Sequence, residues 1–464
     1  MAEEITIYNP LPYQMEGAEW LCTRKRALLA DEMGLGKSCQ AIRAADMLYA
    51  ARILVVCPAV ARANWVEEWK KWSFMPRTYF PIFKEKDAFG GVDSYVVVVS
   101  YDLVERMRAR LTSVKWDVVI LDESHYLKNR MAKRTKVIYG GKRANGPDIA
   151  RNAEHLWCLS GTPAPNNAAE LWTMLHAFEA YPDNYHAFLN EYCTYYQSNF
   201  GITITGNKRA NHLRDTLRSV MLRRKKVDVM RELPPISYHE LLVEPAELSA
   251  QDELVFFPDH GNPTIVNSAL HEDLVKQRGA LNVVIGALQL GEPGLQALGA
   301  TAPAMGTLRR YLGLQKVQPV CDILKRELDD KAMDKVVIFA YHRQVIQWLA
   351  HLLKDYGVVT LYGGTPGDQR ARRINKFNIS RDCRVFIGQI NACNTSISLT
   401  AAHQVVMVEC DWVPAVNAQA VMRCHRIGQK MPVTVRFVAL ADNLDRKIQQ
   451  VLKHKTERLA EIFE

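Results

Sequence analysis

"ADEMGLGKSCQAI" runs from Ala30 to Ile42 and carries Gly34, Gly36, Lys37 and Ser38 at the spacing that closes a phosphate-binding loop. Such a loop works by converging backbone N–H groups and the positive end of a helix on anionic oxygens. A lysine reaches the terminal phosphates and a hydroxyl helps to hold a bound cation. The usual pattern has a glycine at position 31, where this chain has Asp31. Before the loop, ALLA (27–30) reads as a buried strand; after it, CQAIRAADMLYAA reads as a helix. The order strand, loop, helix is the one the motif demands.

Working outward, the same alternation of short apolar runs and helical stretches continues through ILVVC (53–57), VVVVS (96–100), VVIL (118–121) and LWCLS (156–160). Continuous β-branched runs joined by helices predict a parallel sheet buried on both faces. The cadence returns after residue 334 in KVVIFAY, VVTLYGG, CRVFIGQ, QVVMVEC and VTVRFVAL, which predicts a second doubly wound domain. Between about 165 and 230 the spacing is helical and rich in aromatics, with only GITIT reading as strand, so this part is expected to be a helical insertion on the first domain. The expected division is 1–235, 236–320 and 321–464. The middle part is taken as a helical linker with a long helix over 265–290 and a mobile Gly/Ala/Pro loop over 291–306.

A second acidic element supports the loop. VVILDESHYLKN ends an apolar strand in Asp122 and Glu123, where one carboxylate can hold a Mg²⁺ complex and the next can orient and deprotonate a water facing the γ-phosphate. At 464 residues and 48% hydrophobic, the chain has the material for two or three cores. A net charge of +9 is compatible with a nucleic-acid partner and equally with neutral substrates. The ten cysteines are scattered, with no C-x-x-C, which points away from structural zinc and disulfides and towards buried free thiols. An acidic start and the lack of an apolar run of ~18 residues argue against a signal peptide or membrane helix, so an intracellular, non-secreted protein is expected.

Taken together, DEMGLGKS, VVCPAVARANWVEEW, VVSYDL, LDESHYLKN, LSGTPAPN, MLRRKKVDV followed by LPP, and QAVMRCHRIGQ resemble the helicase-like ATPases of the Swi/Snf (sucrose non-fermenting) family in helicase superfamily two. The resemblance runs from about Pro12 to about Leu440. An acidic residue at the first-glycine position is similar to this family's own form of the loop.

The resemblance implies an α/β fold of two RecA-like, doubly wound parallel-sheet lobes with a helical insertion on lobe one, and ATP with Mg²⁺ as cofactors. It implies an ATP site formed by Gln14, which would recognise adenine, and by the loop residues Asp31, Glu32, Met33, Gly34, Leu35, Gly36, Lys37 and Ser38. Ser38 and Asp122 would hold Mg²⁺, Glu123 would be the base, and Arg423 and Arg426 would be supplied by lobe two. Ser160, Gly161 and Thr162 would couple ATP to DNA. Tyr341, His342, Arg343, Gly363, Gly364, Asn394 and Thr395 would be lobe-two contacts to DNA. Arg223-Arg224-Lys225-Lys226 offers two readings, a phosphate-binding patch or an inter-lobe brace.

Ser396, where the family often has glycine, and Met422, where an acidic residue is usual, depart from the pattern. The segments FAYHRQVIQWL and LYGGTPGDQRARRINKFN, with that around Asn394, are most similar to the annealing-helicase, fork-remodelling subgroup. The expected activity is an ATP-driven translocase on double-stranded or forked DNA, without a module that could part strands. A strand-separating DNA or RNA helicase and a non-hydrolysing DNA-binding scaffold are the alternatives.

Overall fold

The computed structural model describes residues 9–140, 148–198, 201–230, 232–246, 255–256, 264–265, 302–393, 397–441 and 445–446. The chain divides into two compact units at the step from Arg231 to Glu232.

In the first unit, β1 (Arg26–Leu29), β2 (Arg52–Cys57), β3 (Thr78–Pro81), β4 (Tyr95–Ser100), β5 (Trp116–Asp122) and β6 (Ala153–Leu159) are followed by a hairpin, β7 (Cys193–Ser198) and β8 (Gly201–Asn207), and by β9 (Met221–Leu222). All but the hairpin form one parallel sheet of order β3-β4-β2-β5-β6-β1-β9. Alternate residues of one strand serve two cores. Leu54 and Val56 of β2 pack with Leu121 and Leu156 on one face, and Ile53 and Val55 with Ile42, Trp65 and Trp69 on the other. Helices α1 (Pro12–Cys22), α2 (Lys37–Met47) and α3 (Arg62–Trp72) supply residues to the second face. Burial on both sides is why these strands read as unbroken apolar runs.

The second unit repeats the plan with β10 (Ile236–Val243), β13 (Val336–Ala340), β14 (Val358–Leu361), β15 (Val385–Gln389), β16 (Gln404–Met407) and β17 (Val433–Leu440), all parallel in the order β10-β17-β16-β13-β15-β14. Val336 and Ile338 of β13 face one core, Val337 and Phe339 the other. A two-residue ladder of β11 (Val255–Phe256) and β12 (Thr264–Ile265) precedes the helix Ala302–Asp329. The two parallel sheets with covering helices are the expected α/β fold.

Three details differ from the sequence reading. Residues 236–243, read as the start of a helical linker, are an edge strand; only Val243 of the eight is buried, so no apolar run announces it. The insertion holds more than helices: CTYY, read with the helical aromatics, is β7, antiparallel to the strand containing GITIT. Of the stretch read as a mobile loop, residues 302–306 open the helix Ala302–Asp329. Residues 291–301 of that loop lie outside the described residues, as does the helix expected over 265–290 apart from Ile265, which ends β12.

Candidate nucleotide site

Parallel register sets the first unit's site. Leu29 lies beside Leu159, and Leu159 beside Asp122, while Leu28 lies beside Met221. The segments that leave β1, β5, β6 and β9 therefore emerge at the same end of the sheet, the carboxyl end where ligands of doubly wound sheets bind.

From β1 comes the loop. Gly34 and Gly36 have φ of +88° and +74°, a region open to glycine and strained for other residues, and Gly36 caps the start of α2. A Cβ at Gly36 would lie 2.3 Å from Gln14 Nε2, so the second glycine also makes room for Gln14. Gln14, buried in α1, accepts from Leu11 N (2.9 Å) and donates to the Leu35 carbonyl (3.3 Å). Lys37 Nζ donates to the carbonyls of Asp31 (2.7 Å) and Glu32 (3.4 Å). Burial pushes the Lys37 ammonium below its ordinary value, while Glu123, Asp31 and Asp122 pull it back up. Ser38 follows in the first turn of α2.

At the end of β5, Asp122 Oδ2 accepts from the Trp65 indole at 2.8 Å, and the Asp122 carbonyl accepts from Tyr101 Oη at 2.8 Å. Burial, then the Glu123 charge, pushes the Asp122 carboxyl up to about 7, although Trp65 and Lys37 work against this. Glu123 has φ of +50°, a left-handed conformation uncommon for a residue with a side chain. It lies 3.3 Å from His125 Nδ1, and the same nitrogen is 3.3 Å from Ser160 Oγ.

Ser160, after β6, is buried and its Oγ accepts from Thr162 N at 3.2 Å. A Cβ at Gly161 would meet Met33 Cγ at 2.7 Å and Lys37 Nζ at 3.4 Å, so this glycine lets the SGT turn close on the lysine. The structure thus brings Gln14, Met33, Lys37, Glu123, Ser160 and Gly161 together through direct neighbours. His125, the link between Glu123 and Ser160, was not singled out in sequence, although it stands within DESH.

The basic run after β9 is turned onto the loop. Arg224 makes a two-pronged pair with Asp31, and Arg223 Nη1 donates to the carbonyls of Ala30 (3.2 Å) and Gly161 (3.4 Å). Glu32 Oε2 accepts from Lys226 N at 2.7 Å. The side chains of Asp31 and Glu32 are therefore engaged by protein donors.

In the second unit the ends of β13, β14 and β15 meet. Gln389 Nε2 donates to the Tyr341 carbonyl (3.2 Å) while its Oε1 accepts from Gly363 N (3.1 Å), and the Arg343 guanidinium lies 5.0 Å from the Tyr362 ring centre. Gly364 adjoins this turn, with open space where a Cβ would stand. Buried Glu409 accepts from the backbone N–H groups of Tyr341 and His342 (2.9 Å each) and pairs with His342 Nδ1 at 2.6 Å. Burial alone would raise the Glu409 carboxyl; the His342 bonds outweigh it and hold the group below its ordinary value. Arg426 Nη1 donates to Ile397 O at 2.9 Å, and the Arg423 carbonyl accepts from Leu399 N at 2.9 Å. Asn394, Thr395 and Ser396 lie outside the described residues. Among the described residues there is no cluster of metal-ligating side chains, no helix long and apolar enough to cross a membrane, and all ten cysteines are free.

A phosphate loop and strand-end acidic pair on one parallel sheet, followed in the chain by a second parallel-sheet unit, define a helicase-like ATPase of two RecA-like lobes. The chain belongs to the SNF2-related family of these proteins: the SNF2-related domain matches residues 13–257 and the helicase conserved C-terminal domain matches residues 315–428. It is 31% identical over 460 residues to the Drosophila melanogaster SWI/SNF-related matrix-associated actin-dependent regulator of chromatin subfamily A-like protein 1, covering 97% of this chain and 56% of that protein. It is 27% identical over 466 residues to the Bos taurus DNA annealing helicase and endonuclease ZRANB3, covering 96% of this chain and 40% of that protein. The chain thus spans about half the length of the curated relatives it matches. Among solved structures, the Sulfolobus solfataricus SWI2/SNF2 ATPase core in complex with dsDNA aligns with 100% of this chain and 94% of that chain at 20% identity, with a TM-score of 0.42.

Proposed function

We propose that this chain is a DNA-stimulated ATPase that moves along double-stranded DNA, with forked DNA among its substrates. The observation that carries the reading is the closing of three segments on one lysine. Lys37 lies against Gly161, feels the charges of Asp122 and Glu123, and is linked through Glu123 and His125 to Ser160.

In this reading Gln14 orients the adenine, and Lys37 with the loop N–H groups binds the phosphates. Mg²⁺ suits Ser38 and Asp122, because a buried carboxyl pushed up to about 7 gains from a nearby cation; the ion would supply charge neutralisation on the phosphates. Glu123 takes the proton of the attacking water, with His125 beside it. Arg423 and Arg426 provide the planar positive charge that a transferring phosphoryl group needs. Ser160, Gly161 and Thr162 pass the state of the nucleotide to the bound DNA. Tyr341, His342, Arg343, Gly363 and Gly364, with Asn394 and Thr395, grip its backbone in lobe two. Contacts of this kind give weak sequence preference and steep salt dependence.

Phosphate release measured with single-stranded, duplex, forked and RNA ligands at one salt concentration tests this. Duplex and forked DNA should stimulate most; no turnover with any ligand would instead favour a non-hydrolysing scaffold. The hairpin β7–β8, with Tyr196 exposed, favours strand separation as the second reading.

A further inference from the structure

Asp31 has no exposed surface, in a loop whose usual pattern has no side chain there. Its two carboxylate oxygens are fully engaged. Oδ1 accepts from Arg224 Nε and from Arg224 N, each at 3.1 Å, and Oδ2 accepts from Arg224 Nη2 at 2.6 Å and Gln40 Nε2 at 3.0 Å. Arg224, only 14% exposed in its side chain, also donates to Gln40 Oε1 at 2.7 Å and to the Tyr13 carbonyl in α1. Gln40 in turn donates to the Leu35 carbonyl at 3.2 Å. A Cβ at Gly17 would lie 1.9 Å from Gln40 Oε1 and 2.7 Å from Arg224 Nη2, so α1 closes over the cluster only with glycine at that point.

The cluster therefore ties the first residue of the loop, its apex at Leu35, the opening turns of α2, and the helix bearing Gln14. It is anchored on the segment that leads the chain out of the first unit: the Leu222 carbonyl accepts from Ala30 N, and the Arg224 carbonyl from Glu32 N. The charge balance is specific. An anionic side chain at this position would repel an incoming phosphate unless cancelled, and a guanidinium meets a carboxylate with two parallel bonds that a lysine cannot reproduce. Because the Asp31 carbonyl also receives Lys37 Nζ, the place of Asp31 sets where the phosphate lysine starts.

We propose that Asp31 and Arg224 form a positioning pair that holds the phosphate loop in its nucleotide-binding posture, so that the acidic residue replaces the missing glycine's function through a partner 193 positions away in the chain. This rests on the nucleotide site proposed above and adds to it a requirement for Arg224, which touches no phosphate in this role.

The test uses the full chain and a fluorescent ADP analogue as probe, with thermal midpoints measured in parallel. Arg224→Gln strands the buried Asp31 charge and lowers the midpoint; Asp31→Asn lowers it less, since Arg224 keeps Glu16 at 3.8 Å, and the double variant, with both charges gone, regains much of the loss. Affinity should not follow stability: all three should bind the probe about tenfold or more weakly, because the fork is absent in each. Arg224→Lys should share that loss. Asp31→Gly, which restores the usual loop sequence, should bind worse than the wild type. A double variant with recovered midpoint and wild-type probe affinity would overturn the proposal and leave a purely structural ion pair, as would Asp31→Gly binding as well as the wild type. Should the wild type bind the probe but never hydrolyse ATP, the proposed function fails while these affinities still judge the pair; should it not bind the probe at all, both fall.

Discussion

Each unit carries a desolvated carboxylate at or just beyond the end of a strand, Asp122 half-buried and Glu409 buried, and the two are treated in opposite ways. Asp122 ends β5, is desolvated and faces the Glu123 charge, and is pushed up to about 7. Glu409 follows β16, is more deeply buried than the half-buried Asp122, and is held below its ordinary value by the His342 ring and by two backbone N–H groups. A carboxylate whose lone pairs are answered by protein donors is scaffold; here it fixes the turn bearing Tyr341 and His342. One left under strain from burial and a like charge is ready for a cation or a proton. The contrast agrees with the proposal that the chemistry belongs to the first unit's sheet end and that the second unit's sheet end holds up a contact surface.

Chemistry gives the largest effects. Arg426→Ala should lower turnover by ~10³-fold or more at saturating ATP and duplex, as loss of a transition-state arginine does. Probe-nucleotide and duplex affinity should be kept; equal loss of duplex binding would make Arg426 a DNA contact. Glu123→Gln should reduce turnover by ~10²-fold or more while still binding ATP, because the base is lost and the Asp122 carboxylate stays. Near-normal turnover in this variant would remove Glu123 from the base role and weaken the contrast between the units.

The carboxylates themselves should separate next. Glu409→Gln should destabilise the protein by about 1.5–3 kcal/mol in denaturant unfolding, since a charge-assisted bond to His342 is lost. Asp122→Asn should leave unfolding unchanged or shift it upward, while turnover collapses. Equal destabilisation by both would show that the two carboxylates are held alike.

A smaller effect is in pH. The folded Asp122 carboxyl sits at about 7 against an ordinary 3.8, so between these values the folded protein keeps a proton that the unfolded chain has released. This contribution makes stability fall as pH rises from about 4 to about 7 and flattens above. The Glu409 contribution has the other sign: it is present above the ordinary glutamate value and is lost as pH falls through the lowered one. Subtracting the profile of Asp122→Asn from that of the wild type should isolate the first slope; a flat difference would show that Asp122 is not strained.

Much of this was legible in the sequence where burial is two-sided. The central strands announce themselves because both faces must be apolar, and Lys37, Asp122 and Glu123 because each stands in a short motif beside such a strand. Edge strands were not legible. β3 includes Pro81 and no buried residue, and β10 presents ISYHELLV with one buried position. β7 was lost because aromatics spaced as in NEYCTYY satisfy either period, and the helix Tyr185–Tyr192 ends just before it. The Asp31–Arg224 pair could not be read locally, since only β9 pairing with β1 brings the two segments side by side. In sequence the basic run reads as a phosphate-binding patch or an inter-lobe brace, whereas Arg223 and Arg224 donate into the loop's own hydrogen bonds.

Movement along duplex DNA, powered by the first unit's site, is what the proposed function requires. ATP-dependent displacement of a third strand from a triplex, run beside release of a strand from a tailed duplex at one salt concentration, tests it most directly. Tracking needs only exchanging phosphate contacts, whereas unpairing must also meet a stacking cost of ~1.4 kcal/mol per base-pair step. The expected result is displacement of the third strand and no release from the tailed duplex, with triplex displacement lost in Glu123→Gln. Efficient release from the tailed duplex without triplex displacement would contradict it and would make the β7–β8 hairpin the first place to look for a strand-parting element.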